Sequence, residues 1–188
     1  IIIGARKMNV PNFLTFLRIF CIPALVIALL IPFKGNEIVS LVIFSVATLT
    51  DALDGFWARR KKQLTTLGQV LDPLADKLLI TSALICLVEL KLVPAWIAVV
   101  IIGREIAVTG FRGIAAQRGY SIPPSILGKA KMILETIAIF LLILGKGYLG
   151  RLYFIASVCL WLVIATAALS AAEYFAKYGP RVLSERPR

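Results

Sequence analysis

The sequence predicts an all-α polytopic membrane protein with six transmembrane helices in one bundle, and three observations predict it. Of 188 residues, 60% are hydrophobic, and the mean hydropathy is +0.90. That is more apolar side chain than the interior of a soluble domain of this size can hold. The apolar residues gather in six stretches, each near the roughly 20 residues that a spanning helix needs. Basic residues concentrate in the connections on one side of those stretches, the bias that orients membrane proteins.

Met8 reads as a natural start, with residues 1–7 a remnant ahead of it and 8–188 a single six-helix transmembrane domain. The first span is Phe13–Ile31; Arg18 interrupts it and no small-residue cleavage site follows, which favours a span over a signal peptide. The others are Ile38–Trp57, Val70–Leu90, Val93–Ala115, Ile126–Leu144 and Leu152–Phe175. Arg6, Lys7, the run Arg59-Arg60-Lys61-Lys62, Arg112, Arg118, Lys129, Lys131, Lys177, Arg181, Arg186 and Arg188 then fall on one side. Lys34, Lys91, Lys146 and Arg151 fall on the other. The bias places both termini and the second-to-third connection in the cytoplasm. Trp57, Trp96 and Trp161 read as interfacial or packing aromatics.

A net charge of +11 could suggest nucleic acid, but the cations lie between apolar runs, which points to anionic lipid or a phosphorylated substrate. The chain has no histidine, which excludes His-ligated zinc, histidine bases and Ser-His-Asp catalysis. Cys21, Cys86 and Cys159 are far apart in apolar runs and read as small core residues.

Four of the ten acidic residues are Asp51, Asp54, Asp72 and Asp76, and carboxylates in apolar sequence are expensive and functional by default. On helices, Asp51 and Asp54 share one face, as do Asp72 and Asp76. Measured from the cytoplasmic connection, Asp54 and Asp72 lie about 7–9 Å into their helices, so antiparallel neighbours bring the four to one depth. Four such groups repel unless cations neutralise them, and all-oxygen ligation points to Mg²⁺, Mn²⁺ or Ca²⁺. Two such ions form the clamp used in displacement at phosphorus. Gly55 and Gly68 permit close approach of a nucleotide, and Arg59 can reach phosphate oxygens. The bland alternative, an ion pair with Lys77 or Arg18, accounts for one or two aspartates and not for four.

Asp51-x-x-Asp54-Gly55-x-x-Ala58-Arg59, eight residues, then Gly68-x-x-x-Asp72-x-x-x-Asp76 resembles the signature of the CDP-alcohol phosphotransferase family at every position. The resemblance implies a six-helix membrane enzyme, usually a homodimer, that binds CDP-linked lipid at a divalent-metal site open to the cytoplasm. It implies that Asp51, Asp54 and Asp72 ligate metal, and that Asp76 ligates the second ion and is the general base. Gly55, Ala58, Arg59 and Gly68 would line the CDP moiety, and two Mg²⁺ or Mn²⁺ ions would be the cofactors. Asn12 and Thr15 either frame the nucleotide or cap the first helix.

The stretches from Met8 to Arg18, Gly103 to Arg112 and Ser125 to Lys131 are similar to the bacterial branch of that family that joins CDP-diacylglycerol to sn-glycerol 3-phosphate. The similarity is weakest in the last span. It implies an inner-membrane location. Arg112, Arg118, Lys129 and Lys131 are expected to hold the acceptor's phosphate, against the alternative that each is an ordinary positive-inside residue. Arg104 and Glu105 pair with each other or a neighbour, or Arg104 lines the acceptor pocket; Glu135 has no evident task. Two other readings compete. One keeps the family and changes the acceptor to inositol phosphate, serine or phosphatidylglycerol. The other makes the chain a cation channel or transporter, against which stand the single level of the aspartates and the lack of broken-helix repeats.

Overall fold

The computed structural model describes residues 10–61, 66–119, 122, 123 and 125–184, with the side chains of 10–14, 51–61, 66–70, 72 and 181–184 excepted. Among the described residues there are six α-helices and no strand. They are α1 Val10–Leu30, α2 Asn36–Lys61, α3 Thr66–Glu89, α4 Ala95–Gln117, α5 Ile126–Leu149 and α6 Phe154–Ser184, with a 3₁₀ turn Gly150–Tyr153 before α6. Each predicted apolar stretch falls mainly on one of these helices, with Ile31, Leu90, Val93, Pro94, Leu152 and Tyr153 outside their α-helical spans. Where a helix runs on past its stretch, the polar residues at the edge continue the same backbone hydrogen-bond ladder. Thus α2 carries Arg59, Arg60 and Lys61 in its last turn, where a loop was expected.

The predicted end of the fifth stretch at Leu144 coincides with a break in the backbone. Gly145 has φ 72° and ψ 173° inside α5, a conformation open to glycine and costly for other residues.

The chain divides into two compact units, Ile1–Cys86 and Leu87–Arg188. In the first, α1 packs on α2. Leu25, Ala28 and Leu29 of α1 and Phe44 and Ala47 of α2 are buried at helical spacing, and so are Thr15 and Arg18. In the second, α6 packs on both α5 and α4. Ala138, Ile139 and Leu142 of α5 and Ala156, Val163 and Ala167 of α6 are buried. Val108, Phe111 and Ala115 of α4 join Ile122 and Tyr174 in a second cluster. Cys86 and Cys159 are buried free thiols, as expected, whereas Cys21 is a half-buried free thiol and not a core residue.

In both units the usual polarity is reversed. Phe20 is 73% exposed and Ile106 69%, while Arg18 and Ser170 are fully buried. Large apolar side chains facing outward around buried polar groups suit a hydrocarbon surrounding. Hydroxyls at Thr48, Thr50, Thr136 and Thr166 donate to carbonyls three or four residues back, so they leave no polar hydrogen facing an apolar medium. The helical run Ile126–Pro180 is long and apolar enough to cross a membrane, and Thr15–Leu30 and Asn36–Thr50 are shorter apolar helical stretches.

Candidate functional site

The eight signature residues lie at the two helix ends that flank residues 62–65. Asp51, Asp54, Gly55, Ala58 and Arg59 occupy the last three turns of α2, and Gly68, Asp72 and Asp76 the first three turns of α3. A link of four residues keeps the two ends within about 20 Å of each other. Counted from those ends, Asp54 and Asp72 are about 9–11 Å deep and Asp51 and Asp76 about 15 Å deep. Within each pair the helical spacing places both residues on one face. Asp76 is partly buried. The side chains of Asp51, Asp54, Gly55, Ala58, Arg59, Gly68 and Asp72 lie outside the described residues. Among the described residues no three acidic or thiol groups converge on one point.

Pro73 sits inside α3, directly after Asp72. Its ring nitrogen has no hydrogen to give, so the carbonyl four residues back, at Gln69, loses its helical donor. Thr15 is buried and helical in α1, and Asn12 is helical there too. Capping requires a non-helical residue, so neither is the N-cap of α1; Asn12's side chain is outside the described residues.

The four expected acceptor cations separate. Arg112 on α4, Arg118 after it and Lys129 on α5 are exposed, whereas Lys131 is buried. Lys129 and Lys131 are two apart on one helix, a spacing that sends side chains to opposite faces.

Lys131 is the centre of an ionic network inside the second unit. Its Nζ donates to Glu105 Oε1 on α4 at 2.7 Å and to Glu135 Oε2, one turn along α5, at 2.8 Å. Arg104 Nη1 donates to the same Glu105 Oε1 at 2.7 Å, and Arg104 Nη2 donates to Ser170 Oγ of α6 at 2.7 Å. The Ser170 hydroxyl in turn donates to the Ala167 carbonyl at 3.1 Å. Among the contacts described, two cations face two carboxylates, so each charge has an opposite one beside it. The expected pairing of Arg104 with Glu105 is present, and Glu135, which the sequence left without a task, holds Lys131. The Lys131–Glu135 spacing of four in an apolar stretch was the available signal; Ser170 had none.

The start of α5 is fixed beside this network. Ser125 caps the helix, its Oγ accepting from Gly128 N at 3.0 Å. Tyr174 Oη accepts from Ser125 N at 2.8 Å and donates to the Pro123 carbonyl at 3.0 Å. A Cβ on Gly128 would stand 3.2 Å from Ser125 Oγ and 3.6 Å from Arg104 Nη2, so the missing side chain lets the guanidinium pass close to the cap. Ser125→Ala removes a capping bond worth about 0.5–2 kcal/mol, and a melting temperature about 2–4 °C lower is expected. A thermal melt in detergent checks it, with Ser125→Asn restoring most of the loss.

Comparison with known proteins gives a consistent result. The family model described as CDP-alcohol phosphatidyltransferase matches residues 8–169. A Bacillus subtilis protein named CDP-diacylglycerol–glycerol-3-phosphate 3-phosphatidyltransferase is 39% identical over 182 residues, covering 90% of this chain and 94% of that one. Proteins of the same name from Rickettsia felis and Wigglesworthia glossinidia are 34% and 33% identical, and the alignments cover 89% and 90% of this chain. They cover 93% and 94% of those relatives.

Proposed function

The chain belongs to the CDP-alcohol phosphatidyltransferase family, and from that membership we propose that it moves the phosphatidyl group of CDP-diacylglycerol to sn-glycerol 3-phosphate. The products are phosphatidylglycerol phosphate and CMP. The observation that carries this reading is the complete eight-position signature on two linked helix ends, in a chain that aligns over nearly the whole Bacillus relative.

Asp51, Asp54, Asp72 and Asp76 fit a pair of hard divalent cations, Mg²⁺ or Mn²⁺. They are four oxygen-donor side chains at matched depths, in a chain without histidine. When bound, such ions neutralise the pyrophosphate and the departing CMP. Asp76 takes the proton from the acceptor's hydroxyl as that oxygen forms its bond to the phosphatidyl phosphorus. The bond from this phosphorus to the bridging oxygen breaks, and CMP leaves with the electron pair. Gly55, Ala58, Arg59, Gly68, Asn12 and Thr15 frame the CDP moiety. Arg112, Arg118, Lys129 and Lys131 serve the acceptor's phosphate, whose two charges favour a site rich in cationic donors.

The six helices cross a bacterial inner membrane with the aspartates at its cytoplasmic face, residues 8–188 act as one catalytic domain, and the enzyme works as a homodimer. The outward-facing apolar side chains and the asymmetry of the basic residues support this placement.

The test is CMP release by purified protein in detergent with Mg²⁺ and CDP-diacylglycerol, comparing sn-glycerol 3-phosphate, inositol phosphate and serine as acceptors. Release with glycerol 3-phosphate alone, abolished by EDTA and restored by Mg²⁺, is expected. Release with another alcohol instead would overturn the acceptor, and ion flux without CMP would favour a channel.

A further inference from the structure

Within the ionic network one atom has an unusual position. Glu105 Oε1 lies between two cations from different helices, 2.7 Å from Arg104 Nη1 and 2.7 Å from Lys131 Nζ. One anionic oxygen shared by a guanidinium and an ammonium at hydrogen-bond distance is the arrangement in which such groups bind a phosphate oxygen. We propose that Glu105 is a placeholder for the acceptor's phosphate, its carboxylate filling the anion position between Arg104 and Lys131 until the acceptor displaces it.

The members of the network differ in access. The side chain of Lys131 is 1% exposed, that of Glu135 5%, that of Arg104 11% and that of Glu105 26%. Glu105 is therefore the most exposed member and the one that an incoming anion meets first. Glu135 stays with Lys131 from one turn along the same helix, so the ammonium keeps a counter-charge throughout the exchange. Arg104 stays anchored to Ser170 Oγ, and its buried Nε makes no hydrogen bond in the structure, a spare donor for a second phosphate oxygen. In the exchange one carboxylate swings out and a phosphate takes its place, bringing up to one further negative charge to the two cations. Without the acceptor, Glu105 spares Arg104 and Lys131 the cost of two uncompensated buried cations.

This inference rests on the reading that Lys131 belongs to the acceptor site, and it adds Arg104 to that site and gives Glu105 a competing role. A placeholder lowers the apparent affinity for what it mimics by the fraction of time the position is open. Removing its charge therefore strengthens acceptor binding, the opposite of what losing a merely structural ion pair does.

Steady-state kinetics of the full chain in detergent, with Mg²⁺, CDP-diacylglycerol and varied sn-glycerol 3-phosphate, decides between them. Glu105→Gln is expected to lower KM for glycerol 3-phosphate about three- to tenfold, with KM for CDP-diacylglycerol unchanged. Inorganic phosphate should become a tighter competitive inhibitor by the same factor. An acceptor KM that is unchanged or raised overturns the placeholder. Should Glu105→Gln fail to fold, Glu105→Asp decides: the shorter carboxylate reaches one cation less well, and the acceptor KM again falls if the proposal holds. Lys131→Met separates the two layers. A raised acceptor KM in that variant, with no fall in Glu105→Gln, sinks the placeholder alone. An acceptor KM unmoved by Lys131→Met sinks the assignment of Lys131 to the acceptor site as well.

Discussion

Asp76→Asn is expected to lower kcat by about 10³-fold or more while binding of CDP-diacylglycerol persists. Asparagine keeps the shape of the side chain and loses both its charge and its capacity to take a proton. General-base catalysis alone is worth roughly 10²–10⁴-fold, and loss of a carboxylate ligand for the second ion adds to it. Asp76 sits in the third turn of α3, one turn beyond Asp72 and on the same face. On the proposed assignment, Asp51, Asp54 and Asp72 remain in the variant to hold an ion, and Gly55, Ala58, Arg59 and Gly68 remain to line the nucleotide. CMP release and the binding of a CDP-lipid analogue, measured on the same preparation, check both halves. Activity within tenfold of the parent would remove Asp76 as the base, and loss of lipid binding in proportion to kcat would make it a structural ligand only.

The second large effect belongs to Glu135. Glu135→Ala removes one of the two carboxylates that hold the buried Lys131 ammonium and leaves it the half-buried Glu105. Breaking a buried pair by removing one member costs about 3–5 kcal/mol, because the other charge keeps its desolvation penalty and loses its compensation. Removing both members is far cheaper. Glu135→Leu with Lys131→Met is accordingly expected to regain most of the thermal stability lost in Glu135→Ala, while acceptor turnover stays low. Thermal melts of Glu135→Leu, Lys131→Met and the double variant in detergent give the coupling directly. Additive losses would show that Glu135 and Lys131 do not act as a pair.

The helices were legible because hydropathy alone marks them, and their ends were not. The basic run at Arg59 reads as a loop by charge, yet the helical ladder of α2 continues through it to Lys61. The aspartate pairs were legible from spacing and signature, and the structure sets their depths along α2 and α3. What the sequence hid is tertiary. Nothing in the order of residues brings Glu105 to Lys131, 26 positions later, or Arg104 to Ser170, 66 positions later. Proximity in sequence does not by itself tell Lys129 from Lys131, whereas two steps along a helix reverse the face and leave one exposed and the other buried. Tyr174 and Ser170 escaped notice because they lie in the last span, where the family resemblance is thinnest.

Both of those residues bear on the order in which the protein is assembled. The start of α5 is tied down by Tyr174, 49 positions after Ser125, and Arg104 is anchored by Ser170. A ribosome delivers α4 and α5 before α6 exists, so these helices form with the network's outer anchors absent. The final helix thus acts as a completion step, closing the cap of α5 and seating the Arg104 guanidinium together. A chain stopped before Ser170 would hold every signature aspartate and still lack the set form of its second unit.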